Sequence, residues 1–198
     1  MMGTPLVGAI EYYLARYGRV AGHETVVRIP ARWRPLLEPH APALGVLGSR
    51  KYPYPFIGDV VRTMAAVAKV PDEDAFFREL AVAGIDASLN TAMRVLLRYA
   101  STPSSLAARG NEAWRMFHDS GHVTAVATEG EYLATTSEWA NHDVVVCKVV
   151  MEVRRRLIER TGKSNVIARR EKCLAWGHDV CSTRIRWGNS PSASRFER

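Results

Sequence analysis

Glu171-Lys172-Cys173-Leu174-Ala175-Trp176-Gly177-His178-Asp179-Val180-Cys181 sets two cysteines eight positions apart around a Gly-His reversal. It runs on through Ser182-Thr183-Arg184-Ile185-Arg186-Trp187. Residues 165–169 before it and 180–187 after it read as strands, and Gly177 supplies the backbone freedom for the turn between them. Closing that turn brings Cys173 and Cys181 together at the base of a hairpin. The third cysteine, Cys147, lies upstream on a helix-like segment, and no other cysteine exists. Three thiols can meet there, and three thiolates with one further ligand make a tetrahedral zinc site.

Working upstream, residues 143–160 predict a long helix with Val144, Cys147, Val150, Met151, Val153, Leu157 and Ile158 as a broad apolar stripe. Before it, residues 122–128 and 132–137 alternate as strands about the turn Glu129-Gly130-Glu131. The N-terminal half reads as helices. Leu6, Ile10, Tyr13, Leu14 and Tyr17 recur at helical spacing, with Gly18 as a stop. Residues 25–29 are β-rich, and Pro30 opens a short helix to Leu37. After a loop over residues 44–54, helices are expected over 55–69, from Pro71-Asp72-Glu73-Asp74 to Gly84, from 86–88 to Tyr99, to about Arg109, and over 111–117. The expected fold is α+β: a helical bundle, then β-β-α-β-β as a four-stranded antiparallel sheet with helices on one face. One domain is expected over 1–187, with 1–43 as a helical N-terminal extension and 188–198 as a loose tail.

The 198 residues suffice for a core, and the 47% hydrophobic content is that of a folded domain. No apolar run reaches a membrane span, and the first residues lack the pattern of a signal peptide. An odd number of cysteines argues for a reducing compartment, so a cytoplasmic location is expected. The net charge of +7 permits contact with nucleic acid, an acidic membrane surface or an acidic partner. Arg154, Arg155, Arg156, Arg160, Lys163, Arg169 and Arg170 cluster at and beyond the end of the long helix, where cations also suit the helix dipole. No nucleic-acid motif accompanies them. Gly162-Lys163-Ser164 lacks the first glycine of a phosphate loop and follows a helix. His118-Asp119-Ser120 are adjacent without forming a triad, so no catalytic residue is assigned.

Cys173-x-Ala175-x-Gly177-His178-x-x-Cys181 resembles the end of the vinyl-4-reductase domain, also the sensor module of phenol-responsive transcription activators. Leu47-Gly48-Ser49-Arg50-Lys51-Tyr52-Pro53 resembles an uncharacterised bacterial family of similar length. Both are similar in fold to haem-dependent nitric-oxide sensors and to TRAPP vesicle-tethering subunits. The resemblance implies a non-enzymatic pocket for a small, mostly apolar ligand, a homodimer, and a structural zinc held by three cysteines and a glutamate. Cys173 and Cys181 match two of those cysteines, and Cys147 stands at the separation of the third. The glutamate's position, three before the first hairpin cysteine, is Arg170 here, with Glu171 one later. The expected metal set is therefore Cys147, Cys173, Cys181 and Glu171, with His178 or a water as alternatives for the fourth position.

Trp114, Phe117 and His118 before the first strand, Trp139 and His142 before the long helix, and Met151 on its stripe are the candidate pocket residues. The plain alternative is that these aromatics fill the core. The haem sensors carry a Tyr-x-Ser-x-Arg motif. Tyr99-Ala100-Ser101-Thr102-Pro103 begins that pattern but ends on proline, before the sheet, so no haem is expected. The reading is a sensory or binding module that signals through a protein partner. The alternatives are a scaffold or tethering protein of the same fold and an accessory protein in tetrapyrrole reduction.

Overall fold

The computed structural model describes residues 1–89 and 101–188. Pro5 in the first turn starts α1 (Thr4–Arg28), and Leu6, Ile10 and Tyr13 bury one face of it. The helix kinks at Gly18, where φ is 81°, but does not stop there. The β-rich residues 25–28 stay helical. The Thr25 hydroxyl donates to the Ala21 carbonyl at 2.9 Å and meets the Tyr13 hydroxyl at 3.2 Å, while Val26 and Ile29 reach the core. Burial here overrides strand propensity.

A 3₁₀ turn (Ala31–Leu36) and a loop lead to α2 (Tyr54–Ala68) and α3 (Glu73–Leu89). Gly84 does not end α3. A Cβ there would stand 2.4 Å from the Pro5 carbonyl oxygen, and one on Gly8 would stand 2.5 Å from the Ala87 Cβ. The two glycines let α1 and α3 cross closely. The helix expected from 86–88 begins inside α3, and its continuation over 90–99 lies outside the described residues. Next come α4 (Pro103–Ala108), capped by Thr102 and Ser105, and α5 (Gly110–Phe117).

The second half follows the expected order: β1 (His122–Thr128), β2 (Glu131–Ser137), α6 (Val144–Arg160), β3 (Ile167–Lys172) and β4 (Cys181–Arg186). The strands form one antiparallel sheet in the order β1-β2-β4-β3. Pairing of Tyr132 with Ile185, Ala134 with Thr183 and Thr136 with Cys181 puts these six on one face. All six are buried, on the side of the sheet that faces α6. Cys147 of α6 thus stands in one group with Cys181, and Arg154 meets Thr136 and Thr183. Ile158 joins Tyr132, Ala134 and Ile185 in an apolar cluster. The opposite face carries an ion-pair ladder in which Arg184 binds both Glu131 and Glu171, and Arg186 binds Glu131 at 2.9 Å.

The basic run of the long helix does not make one solvated face. Arg155 pairs with Glu152 and Glu159, Arg156 and Arg160 share Asp86, and Arg154 is buried. Among the described residues, no helix is long and apolar enough to cross a membrane. Residues 189–198, most of the expected tail, lie outside the described residues.

Candidate metal centre and apolar cavity

The start of α6 is anchored before it carries any chemistry. The Asp143 carboxylate caps the helix, accepting from the Val145 and Val146 N–H groups at 2.8 and 3.3 Å. The same carboxylate takes the Arg62 guanidinium of α2 at 3.1 and 2.8 Å. It fits because residue 58 is glycine: a Cβ there would lie 2.4 Å from the Asp143 Oδ2. This anchoring fixes His142, the preceding residue, and Cys147, one turn into the helix.

The hairpin supplies the other ligand atoms. After β3 the chain turns through Leu174–Trp176 to Gly177 at φ 82°, and the Cys173 carbonyl accepts from the Trp176 and His178 N–H groups. Cys173 Sγ lies 4.0 Å from Cys147 Sγ, 3.9 Å from Cys181 Sγ and 3.7 Å from His142 Nε2. All four ligand atoms lie within 4.8 Å of one another. Ligands ~2.3 Å from one centre at tetrahedral angles stand about 3.8 Å apart, so the spacing suits a metal ion. The cluster can hold one. The cysteines are free and buried. Without a metal, charge would settle on Cys181. The Cys147 thiol donating to it pulls its pKa down, helped by His142 and the Leu174 N–H, and Cys147 is raised in turn.

His142, not Glu171, is the fourth residue whose ligand atom stands with the three sulfurs. Glu171 pairs with Arg184 on the far face of the sheet. The register between β3 and β4 shifts between Arg170 and Lys172, a bulge at the residue in question. Arg170, not Glu171, turns to the cluster: its Nη1 donates to Cys173 Sγ at 3.8 Å, and its guanidinium lies 5.1 Å over the Trp176 ring. Its Nε is buried without a partner. Three thiolates on a divalent ion would leave one net negative charge, and Arg170 lies where its cation would offset it. His178 is not in the group.

Two turns further along, α6 borders a cavity of about 130 Å³. Val149, Val150, Val153, Leu157 and Ile158 of α6 face Trp114 and Phe117 of α5 across it, with Ile85, Val123 and Tyr132 closing the sides. That is roughly the room a benzene-sized guest takes. Arg154 lines the cavity too, only 9% exposed, with Nη2 donating to the Thr136 hydroxyl at 2.7 Å and Nη1 reaching Thr183 at 3.5 Å. The His118 ring is stacked on Trp114 with centroids 3.5 Å apart, and its Nδ1 lies 3.0 Å from the Tyr54 hydroxyl. Burial pushes the His118 pKa well below its ordinary value, aided by the chain's amino terminus and Arg154. Burial likewise raises Tyr132, which stays a neutral phenol.

Of the six expected pocket residues, Trp114, Phe117 and His118 line the cavity. Trp139 does not. It is buried edge-on between Trp114 and His142, at 4.9 and 5.0 Å. His142 belongs to the cysteine cluster, and Met151 is half-buried on α6 away from the lining. Arg154, Tyr132 and Leu157 are lining residues that the sequence reading did not place there. For Arg154 a signal existed: it falls at Val150 plus four and Ile158 minus four, inside the apolar stripe.

No protein-family model matches the chain, and no curated protein does. These comparisons do not support the expected vinyl-4-reductase resemblance. Solved structures do match. An H-NOX protein from S. oneidensis in its Fe(II)NO ligation state is 15% identical with TM-score 0.66, covering 96% of this chain and 100% of that one. An Fe(II) unliganded H-NOX protein from K. algicida is 12% identical with TM-score 0.66, covering 96% and 98%. An oxygen-binding H-NOX domain related to soluble guanylate cyclases is 11% identical with TM-score 0.62, covering 96% of each. Another structure at 11% identity and TM-score 0.63, covering 96% of each chain, probes haem distortion in the H-NOX family. At such identities the likeness is one of fold alone.

Proposed function

We propose that this chain is a non-catalytic sensory module. It holds a small, mostly apolar guest in the cavity beside α6, is pinned by a structural zinc on His142, Cys147, Cys173 and Cys181, and signals through a protein partner, with a homodimer as its expected assembly. The observation that carries the reading is that one helix serves both sites. Cys147 near its start is tied to the hairpin, while Val150, Val153, Leu157 and Ile158 wall the cavity. A guest that fits one position of α6 better than another shifts the population of a helix whose start is already fixed. A zinc site with four protein ligands leaves no open position for chemistry, so its role is to hold the hairpin to the helix. Three free thiols suit a reducing cytoplasm.

Haem is the cofactor that the fold's relatives bring to mind, and the described residues do not fit it. About 130 Å³ does not take a macrocycle. Of the chain's six histidines, His118 alone lines the cavity; its ring is covered by Trp114 and its Nδ1 is held by Tyr54. None of the six falls within residues 90–100. Haemin titration is expected to give no sharp Soret band; a band at one equivalent would restore a haem role.

The reading is tested on purified protein. Metal analysis is expected to return about one equivalent of zinc per chain. Mass spectrometry of lipophilic extracts is expected to recover a small guest. If no guest is recovered and no small aromatic raises the melting temperature, the sensory reading gives way to a scaffold.

A further inference from the structure

Arg154 is the one charged side chain among the described residues that line the cavity. Among the described residues no aspartate or glutamate lines it, and none bonds the guanidinium. Its hydrogen-bonding partners are two threonine hydroxyls, and the Trp114 ring lies 5.8 Å away. The groups that act on it electrostatically are the Tyr132 phenol and the thiols of Cys147 and Cys181. The phenol is neutral, and the charge of the cysteine cluster already has Arg170 against Cys173.

An arginine does not shed its proton under such conditions, and a buried cation without an anion is costly. A protein that needed only packing here would carry an apolar residue in its place. We infer that the cavity's guest is a small monocarboxylic acid with an aromatic or short aliphatic body, its carboxylate on Arg154 and its apolar part among Val153, Leu157, Trp114 and Phe117. The inference rests on the proposed function and names the ligand class for that site. A carboxylate matches the guanidinium fork. A single negative charge balances a single arginine, whereas a dianionic phosphate would leave an excess in an apolar space. Thr136 and Thr183 hold the guanidinium from the sheet side, leaving its remaining donors for the guest.

The test sets acids against their neutral amides: benzoate, phenylacetate and octanoate beside benzamide, phenylacetamide and octanamide, by calorimetry and thermal shift on the zinc-loaded full chain. At least one acid is expected to bind tenfold or more tighter than its amide. Arg154→Met is expected to abolish that preference while leaving the ligand-free melting temperature unchanged or higher, since it removes an uncompensated charge. Arg154→Lys, which keeps the charge, is expected to retain part of the preference, and it serves if the methionine variant does not fold. Amides that bind as well as acids to the wild-type chain overturn the acid inference and leave the apolar cavity standing. An acid preference that survives in Arg154→Met also overturns it. Binding of none of the six compounds removes both this inference and the proposed function beneath it.

Discussion

At the start of α6, three sulfurs and an imidazole stand within 4.8 Å of one another, with Arg170 beside them and the Asp143 cap behind. Two turns later the same helix presents Arg154 to the cavity, and among the described residues its hydrogen bonds go to two threonine hydroxyls. Both regions bury charge-bearing groups between the same helix and the same sheet. In the first the described groups face one another; in the second the inference above gives the guanidinium a guest's carboxylate as its partner. If the cluster carries the proposed metal, that end would hold α6 in place while the cavity end forgoes its own packing.

The comparison breaks most visibly at its closed end. Cys173→Ala is expected to lose the metal and to destabilise by about 4 kcal/mol or more, roughly 8–16 °C in melting temperature. Metal analysis with calorimetry checks it, and a variant as stable as wild type would reduce the cluster to ordinary core. Next come two valines of α6. Val146, buried at the cluster end, is expected to cost about 2–3 kcal/mol on conversion to alanine. Val153, which already faces the cavity, is expected to cost under about 1 kcal/mol, because it gives up few packed neighbours. Equal losses in urea unfolding would mean the cavity is as well packed as the cluster.

Acid sharpens the cavity side. His118 is buried neutral, its folded pKa well below the ordinary value because of burial first and then the nearby positive charges. The unfolded chain takes up that proton near pH ~6.5 and the folded chain does not. Its contribution to stability is therefore full above that pH and declines as pH falls toward the folded pKa. Urea midpoints at pH 7.5 and 5.5 are expected to fall less for His118→Phe than for wild type. The smallest effect belongs to Glu171→Gln: within about 1 kcal/mol, with metal content unchanged, as for a partly exposed ion pair. His142→Ala is expected to release the metal. The reverse pattern would return Glu171 to the fourth position.

The α+β order, the two hairpins and the three converging cysteines were legible because they rest on short-range signals: alternation, helical period, and turns marked by glycine. Residues 25–28 misled because their strand propensity is weaker than the burial of Val26 and the i−4 hydrogen bond of Thr25. Gly84 misled because a glycine that stops a helix and one that admits a neighbouring backbone look alike in a sequence.

By itself, the sequence determined which elements form and which sulfurs can meet, since both follow from periodicity and from cysteines a hairpin and a helix bring together. Only the tertiary structure decided that His142 completes the cluster, that a bulge turns Arg170 toward the sulfurs and leaves Glu171 to Arg184, and that Arg154 is buried rather than part of a basic surface. The reason is that a side chain's charge is written in the chain, but what faces it across a helix and a sheet depends on register and crossing, which distant segments set together.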